Sequence, residues 1–149
     1  MPHRSRLVAG LTLALAAPAL VGAAPPPGGV SATVTGLRSG KGQVLACLTA
    51  RPSAFPDCEG DPSARSLIVS ASKTLTLDFG PVPAGRYAIA LIHDENGNGK
   101  LDKRLIVPRE GFGFSRNAPV RLGPPSFRSA AFAVNQRVEH QAIRMRYMF

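Results

Sequence analysis

Tryptophan is absent from the 149-residue sequence and aromatic residues make up only 6%, so the core must rest on Val, Leu, Ile, Ala and Phe. No segment carries a sustained 3.6-residue apolar period, which argues against a helical bundle. There is no internal repeat and no linker that would set off a second domain. Acidic residues are scarce, 9 against 18 Lys and Arg, and the formal net charge is +9. Cysteine occurs only twice. The hydrophobic content of 44% excludes a wholly disordered or collagen-like chain. Gly (15) and Pro (14) are abundant enough to indicate short elements joined by turns.

A single long apolar run is found, Leu7–Val21. It follows His3, Arg4 and Arg6 and ends in Gly22-Ala23-Ala24, the arrangement of a secretory signal peptide. The run is shorter than the ~20 residues of a membrane span, and Gly10 and Pro18 weaken it as a helix. Residues 1–23 are therefore read as the signal, residues 24–29 as a Pro/Gly leader, and residues 30–149 as one domain. The protein is expected to be exported, to the periplasm or beyond, and not to be transmembrane. Loss of Arg4 and Arg6 leaves 16 positive side chains against 9 negative in the mature chain. These are scattered singly, without the aromatic-basic interleaving of a nucleic-acid-binding surface, and no nucleic-acid partner is expected.

Export gives the cysteines a role. An isolated pair in an oxidising compartment reads as a disulfide, Cys47 to Cys58. Closing this short, turn-rich loop is worth roughly 2–3 kcal/mol on the chain-entropy model.

Short β-rich runs alternate with breakers: Val30–Leu37, Gln43–Thr49, Ser66–Ser70, Thr74–Phe79, Arg86–His93, Ala130–Val134 and Ala142–Phe149. Leu75, Leu77 and Phe79 alternate with polar neighbours, as do Ile143, Met145, Tyr147 and Phe149. About seven such strands predict an all-β fold, a single antiparallel sandwich of transthyretin-like or immunoglobulin-like type. The stretch from Asp94 to Ser129 reads as one long Gly/Pro-rich loop, the place to look for a site.

Within it, Asp94-Glu-Asn-Gly-Asn-Gly-Lys-Leu-Asp102 sets oxygen side chains at Asp94, Asn96 and Asn98, then Gly99. This follows the opening of a calcium loop, in which donors two residues apart are aimed at one point by a tightly curled backbone. The Lys100 carbonyl and Asp102 would supply further ligands. Leu105 stands where the closing bidentate Glu is expected, so Glu110 or a water would have to substitute. The competing reading is a plain turn, because Asn96-Gly97 and Asn98-Gly99 are strong turn dipeptides. Phe112, Phe114 and Phe127 either pin the long loop to the sandwich or offer an aromatic patch to a partner.

Three stretches also carry a resemblance: Gly85 through Asp102, Pro108-Arg-Glu-Gly-Phe-Gly-Phe-Ser115, and Gly123-Pro-Pro-Ser-Phe127 with Ala130-Ala-Phe132. Together they resemble an uncharacterised bacterial family, DUF2141, from about Val30 to Phe149. The resemblance implies a small exported β-rich domain without an established activity. The Gly-x-Tyr strand entering the Asp94 loop is also similar to calcium-stabilised, transthyretin-like repeats of bacterial surface adhesins, from which Leu105 departs.

No Gly-x-Ser-x-Gly elbow and no histidine pair with metalloprotease spacing occurs. The expected function is a non-enzymatic envelope or surface module, structural or binding, with an envelope glycan or protein as partner. The alternative is a hydrolase of envelope polymers using His93 with the loop carboxylates. Intact-mass analysis of material from a secreting host is expected to give a chain starting at Ala24. Soluble protein that keeps residues 1–23 would sink the export reading.

Overall fold

The computed structural model describes residues 27–104 and 107–149. The signal-peptide reading, the first half of the leader and Leu105 fall outside these residues. The described residues form ten strands: β1 Gly28–Thr35, β2 Gln43–Thr49, β3 Arg65–Ser70, β4 Leu75–Val82, β5 Gly85–Asp94, β6 Lys103–Arg104, β7 Val107–Pro108, β8 Gly111–Phe114, β9 Phe132–Val134 and β10 Glu139–Arg144. Two mostly antiparallel sheets result. One has the order β10-β1-β4, the other β3-β2-β5-β8 with β9 paired to the start of β5. The expected β-rich sandwich is thus present, with more strands than predicted.

Period-2 alternation explains the packing between the sheets. Val30, Ala32 and Val34 of β1, Leu77 and Phe79 of β4 and Ile143 of β10 face Val44, Ala46, Leu48, Tyr87, Ile89 and Leu91 of the other sheet. Burying one such aliphatic side chain contributes about 1.5–3 kcal/mol. β5 is buried on both faces. Its second face, Ala88 and Ala90, is covered by Phe112, Phe114, Ala118 and Ala130, with Phe55, Val120 and Phe127 at the margin.

Several expectations need correcting. β1 begins at Gly28, inside the expected leader, because Gly28 and Gly29 pair with Val82 and Pro81 of β4. The segment after Asp94 is no single loop. It holds β6, β7, β8, a 3-10 turn at Ser115–Asn117 and a helical turn at Phe127–Ala130. Gly and Pro hid β8, since its two glycines are needed for close packing. Gly111 and Gly113 face inward, where a Cβ would stand 2.4 Å from the Tyr147 ring and 2.9 Å from Ile143. Phe112 and Phe114 take the opposite face and are buried in the second cluster, where they pin the segment rather than offer an exposed patch. Phe127 is half-buried beside them.

The last strand was expected at Ala142–Phe149; it runs from Glu139 to Arg144, parallel to β1. Beyond it the tail continues as an isolated bridge between Arg146 and Phe112, which ties the two sheets together. The outer edge of β10 is closed by Asn117, whose carboxamide accepts from the Arg144 N–H at 2.9 Å and donates to the Ala142 carbonyl at 3.1 Å. That side chain stands in for a neighbouring strand.

Cys47 and Cys58 are bonded, with Cα atoms 5.8 Å apart. Cys47 shares the outer face of its sheet with Ala90, so the bridge brings Phe55 over Phe114 and Phe127, at ring-centroid distances of 5.8 and 6.1 Å.

Gly42 leads into β2 with φ 67°, and a Cβ there would lie 2.0 Å from the Asp94 carbonyl oxygen. Gly42→Ala combines a strained left-handed backbone with a clash against main chain, which cannot give way. It is expected to cost about 3 kcal/mol or more in denaturant unfolding. Gly60 has φ 70° with open space around it. Gly60→Ala should therefore cost only the backbone strain, about 1 kcal/mol, and equal losses at the two positions would contradict this account.

Candidate functional site

β5 ends at His93 and Asp94, and alternation sends their side chains to opposite faces of the sheet. Both residues are fully buried. His93 points inward. Its Nε2 lies 2.8 Å from the Lys41 carbonyl oxygen, which can only accept, so Nε2 carries the proton. Its Nδ1 is 2.7 Å from the Tyr147 hydroxyl. That hydroxyl already accepts from the Arg38 N–H at 3.1 Å, and it therefore donates to Nδ1.

Arg38 is the hub of this end of the molecule. Its Nε donates to Glu95 Oε1 at 2.9 Å, and the same carboxylate oxygen accepts from its terminal Nη2. Its other terminal nitrogen reaches the Phe149 carbonyl oxygen at 2.8 Å. The guanidinium lies 4.5 Å from the centre of the Tyr147 ring. Ser39 donates to the second oxygen of Glu95. The Arg38 hydrogen bond holds the Glu95 carboxyl below its ordinary value, against an opposing push from burial, and Ser39 adds to the lowering.

Asp94 points the other way, toward the loop. Burial pushes its pKa up, but the Gln43 amide and the N–H groups of Gly99, Asn98 and Gly97 together hold it below the ordinary carboxylate value. The Gln43 Nε2 donates to Oδ2 at 2.8 Å, the Gly99 N–H to Oδ2 at 2.7 Å, and the Asn98 N–H to Oδ1 at 3.0 Å. Gly97 and Gly99 adopt φ of 70° and 78°, which lets the backbone curl around this one carboxylate.

The other motif residues close the loop. Asn96 Oδ1 accepts from the Asn98 N–H, and Asn98 Oδ1 accepts from the Lys100 N–H. Both carboxamides donate to Asp102, Asn96 Nδ2 to Oδ2 at 2.6 Å and Asn98 Nδ2 to Oδ1 at 2.9 Å. The β6–β7 hairpin then returns the chain, with the Arg109 N–H on the Asp102 carbonyl. Glu110 thereby reaches back, its carboxylate accepting from the N–H groups of Glu95 and Asp102 at 3.0 and 3.1 Å.

Asp94, Asn96, Asn98, Asp102 and Glu110 are therefore brought into one loop, each tied by hydrogen bonds within it. Lys100 contributes its N–H, and its side chain is exposed. His93 is not part of this group, being on the other face of the strand. Arg38, Gln43 and Tyr147 belong to no motif that marks them as site residues in the sequence. Only Tyr147 left a trace, as one member of an alternating tail. A shallow groove of about 640 Å³ lies near the other end of β5, lined by Arg51, Asp61, Arg65, Val82 and Tyr87 among others.

Lowered carboxyl values fix the sign of the acid response. Asp94 and Glu95 have folded values below the ordinary 3.8 and 4.5. Their stabilising contribution is complete above those ordinary values and is lost as pH falls through the folded ones. Melting in EDTA is expected to show stability dropping below about pH 4.5. Glu95→Gln should flatten that drop and lower stability at neutral pH, while an unchanged acid limb would contradict the assignment.

No curated protein matches this sequence, and no solved structure matches it. A family described as "uncharacterized protein conserved in bacteria", DUF2141, matches residues 32–142, from the middle of β1 into β10 and including the whole Asp94–Glu110 loop. The chain belongs to this DUF2141 family of uncharacterised bacterial proteins.

Proposed function

We propose that this is an exported, non-enzymatic envelope domain, a structural or binding module whose Asp94–Asp102 loop takes calcium weakly. The observation that carries the non-enzymatic part is the commitment of His93. Both of its ring nitrogens are engaged, with Tyr147 and the Lys41 carbonyl, and the side chain has no exposed surface. A hydrolase built on His93 with Asp94 and Glu110 would need all three in one cleft, yet they serve opposite faces of β5. The disulfide and the absence of a helix long and apolar enough to cross a membrane, among the described residues, are consistent with export. An envelope glycan or protein is the partner class that fits such a module.

The calcium part rests on how Asp102 is satisfied. The carboxamides of Asn96 and Asn98 both bring their N–H2 groups to its carboxylate, supplying the positive partner. Turning a carboxamide over presents its oxygen instead, and a hard cation between these oxygens would then replace the two N–H contacts. Asp94 already curls the backbone as a calcium loop requires. The exchange sacrifices hydrogen bonds that the loop makes for itself, so affinity should be weak, around the ~1 mM typical of extracellular calcium modules.

An ion that binds only the folded state stabilises it by RT ln(1 + [L]/Kd), about 1.4 kcal/mol for ~10 mM calcium and a Kd near 1 mM. Thermal melts of the mature protein in EDTA and in calcium should differ by several degrees, taking ~4 °C per kcal/mol. Magnesium should do much less, because it demands close octahedral coordination. Asp94→Ala should abolish the calcium response and leave the disulfide intact. Identical melts in EDTA and calcium for the unmutated protein would make the loop a plain hydrogen-bonded turn.

A further inference from the structure

We propose that Asn96 is a site of spontaneous deamidation, and that its conversion to an acid turns a self-satisfied loop into one that demands a cation. The loop holds two Asn-Gly pairs, Asn96-Gly97 and Asn98-Gly99, and all four residues are exposed. Glycine following asparagine leaves the attacking nitrogen sterically open. In the first step the Gly97 nitrogen attacks Cγ of Asn96 and a C–N bond closes a five-membered succinimide. The Cγ–Nδ2 bond breaks, and the nitrogen leaves as ammonia with the proton lost from Gly97. Water then adds to one of the two imide carbonyls, the C–N bond at that carbonyl breaks and the nitrogen takes a proton from the water, giving aspartate or isoaspartate at position 96. No oxidant or reductant is involved.

The two pairs are not equivalent. The Gly99 N–H donates to the buried Asp94 carboxylate at 2.7 Å, which holds the nitrogen that would have to attack Asn98. Among the described residues the donors within hydrogen-bond reach of Asp94 are Gln43, Asn98 and Gly99, and the Gly97 N–H is not one of them. Its nitrogen is the freer nucleophile. The main chain of Asn98 is further restrained by its own N–H on Asp94, whereas the Nδ2 contact to Asp102 is common to both asparagines. The structure therefore selects Asn96 over Asn98, although both precede glycine.

The consequence follows from one contact. Asn96 Nδ2 donates to Asp102 Oδ2 at 2.6 Å, so deamidation replaces a donor with a second carboxylate facing the first. Like charges at that separation repel, and a cation between them removes the repulsion. The loop then carries acids at positions 94, 96 and 102 in calcium-loop spacing. This second part rests on the weak calcium loop proposed above; the deamidation itself does not.

The test uses the folded mature protein aged at mildly alkaline pH, followed by tryptic mapping of the peptide Tyr87–Lys100, which contains both asparagines. A mass gain of about one dalton should accumulate at Asn96 well before Asn98, with release of ammonia. A urea-unfolded control should bring the two rates together. Equal rates in the folded protein, faster change at Asn98, or no change in folded protein while the control reacts, would each overturn the site. Asn96→Asp is the direct mimic of the aspartate product. Its apparent calcium affinity, read from melting curves, should be about tenfold tighter than that of the unmutated chain, because added ligand charge tightens such loops. Its melting temperature in EDTA should be lower. A calcium response no larger than the parent's would refute the consequence. A response in Asn96→Asp with none in the parent would uphold it while removing the weak parental site.

Discussion

A carboxylate held entirely out of water organises this end of the molecule. Asp94 has no exposed surface, and an unsatisfied charge in such a place would cost several kcal/mol. Its oxygens receive donors from Gln43, Asn98 and Gly99. Meeting that demand shapes the loop: the chain must double back within five residues, and Gly97 and Gly99 supply the positive φ that makes this feasible. Gln43 must lie opposite on β2, which fixes the register of β2 against β5. Gly42 must come before it, where the Asp94 carbonyl leaves no room for a side chain.

Immediately beside it, His93 meets the same problem on the opposite face and solves it with remote chain. Its partners are the Lys41 carbonyl and a tyrosine from the tail, 54 positions away. The Tyr147 ring fits because Gly111 has no Cβ, and the Arg38 guanidinium lies over it. Arg38 then reaches Glu95, the residue after Asp94. Two adjacent residues at the end of β5 are thus anchored independently, one by local turns and one by a network spanning both sheets. A loop attached to so rigid a root is well placed to present a defined surface, whether or not an ion joins it.

The loop's chemistry turns on amide groups. Asn96 and Asn98 present donors to Asp102 and acceptors to the backbone at once, which a carboxylate could not do. Asparagine lets the loop close with its own groups, and the same residue type leaves it open to loss of that nitrogen. Glu110, buried and bonded to two backbone N–H groups, fastens the far side.

Much of the fold was legible in the sequence because it depends on local pattern. Alternation at Leu75, Leu77 and Phe79 marked a half-buried strand, the apolar run at Gln43–Thr49 marked another, and the isolated cysteine pair marked the bridge. The Asp94 loop was also visible, since oxygen side chains and glycines at fixed offsets determine its curl. The β8 strand was hidden, because Gly-Phe-Gly-Phe reads as loop until Tyr147 and Ile143 are seen to need the space of its glycines. The parallel pairing of β1 with β10 and the Asn117 side chain closing the edge were equally out of reach. Local residue order sets which face of a strand is apolar and where the backbone can turn. Which distant group satisfies a buried His93, and which glycine must yield to a ring from the tail, are decided only when the sheets close and every buried polar atom must find a partner.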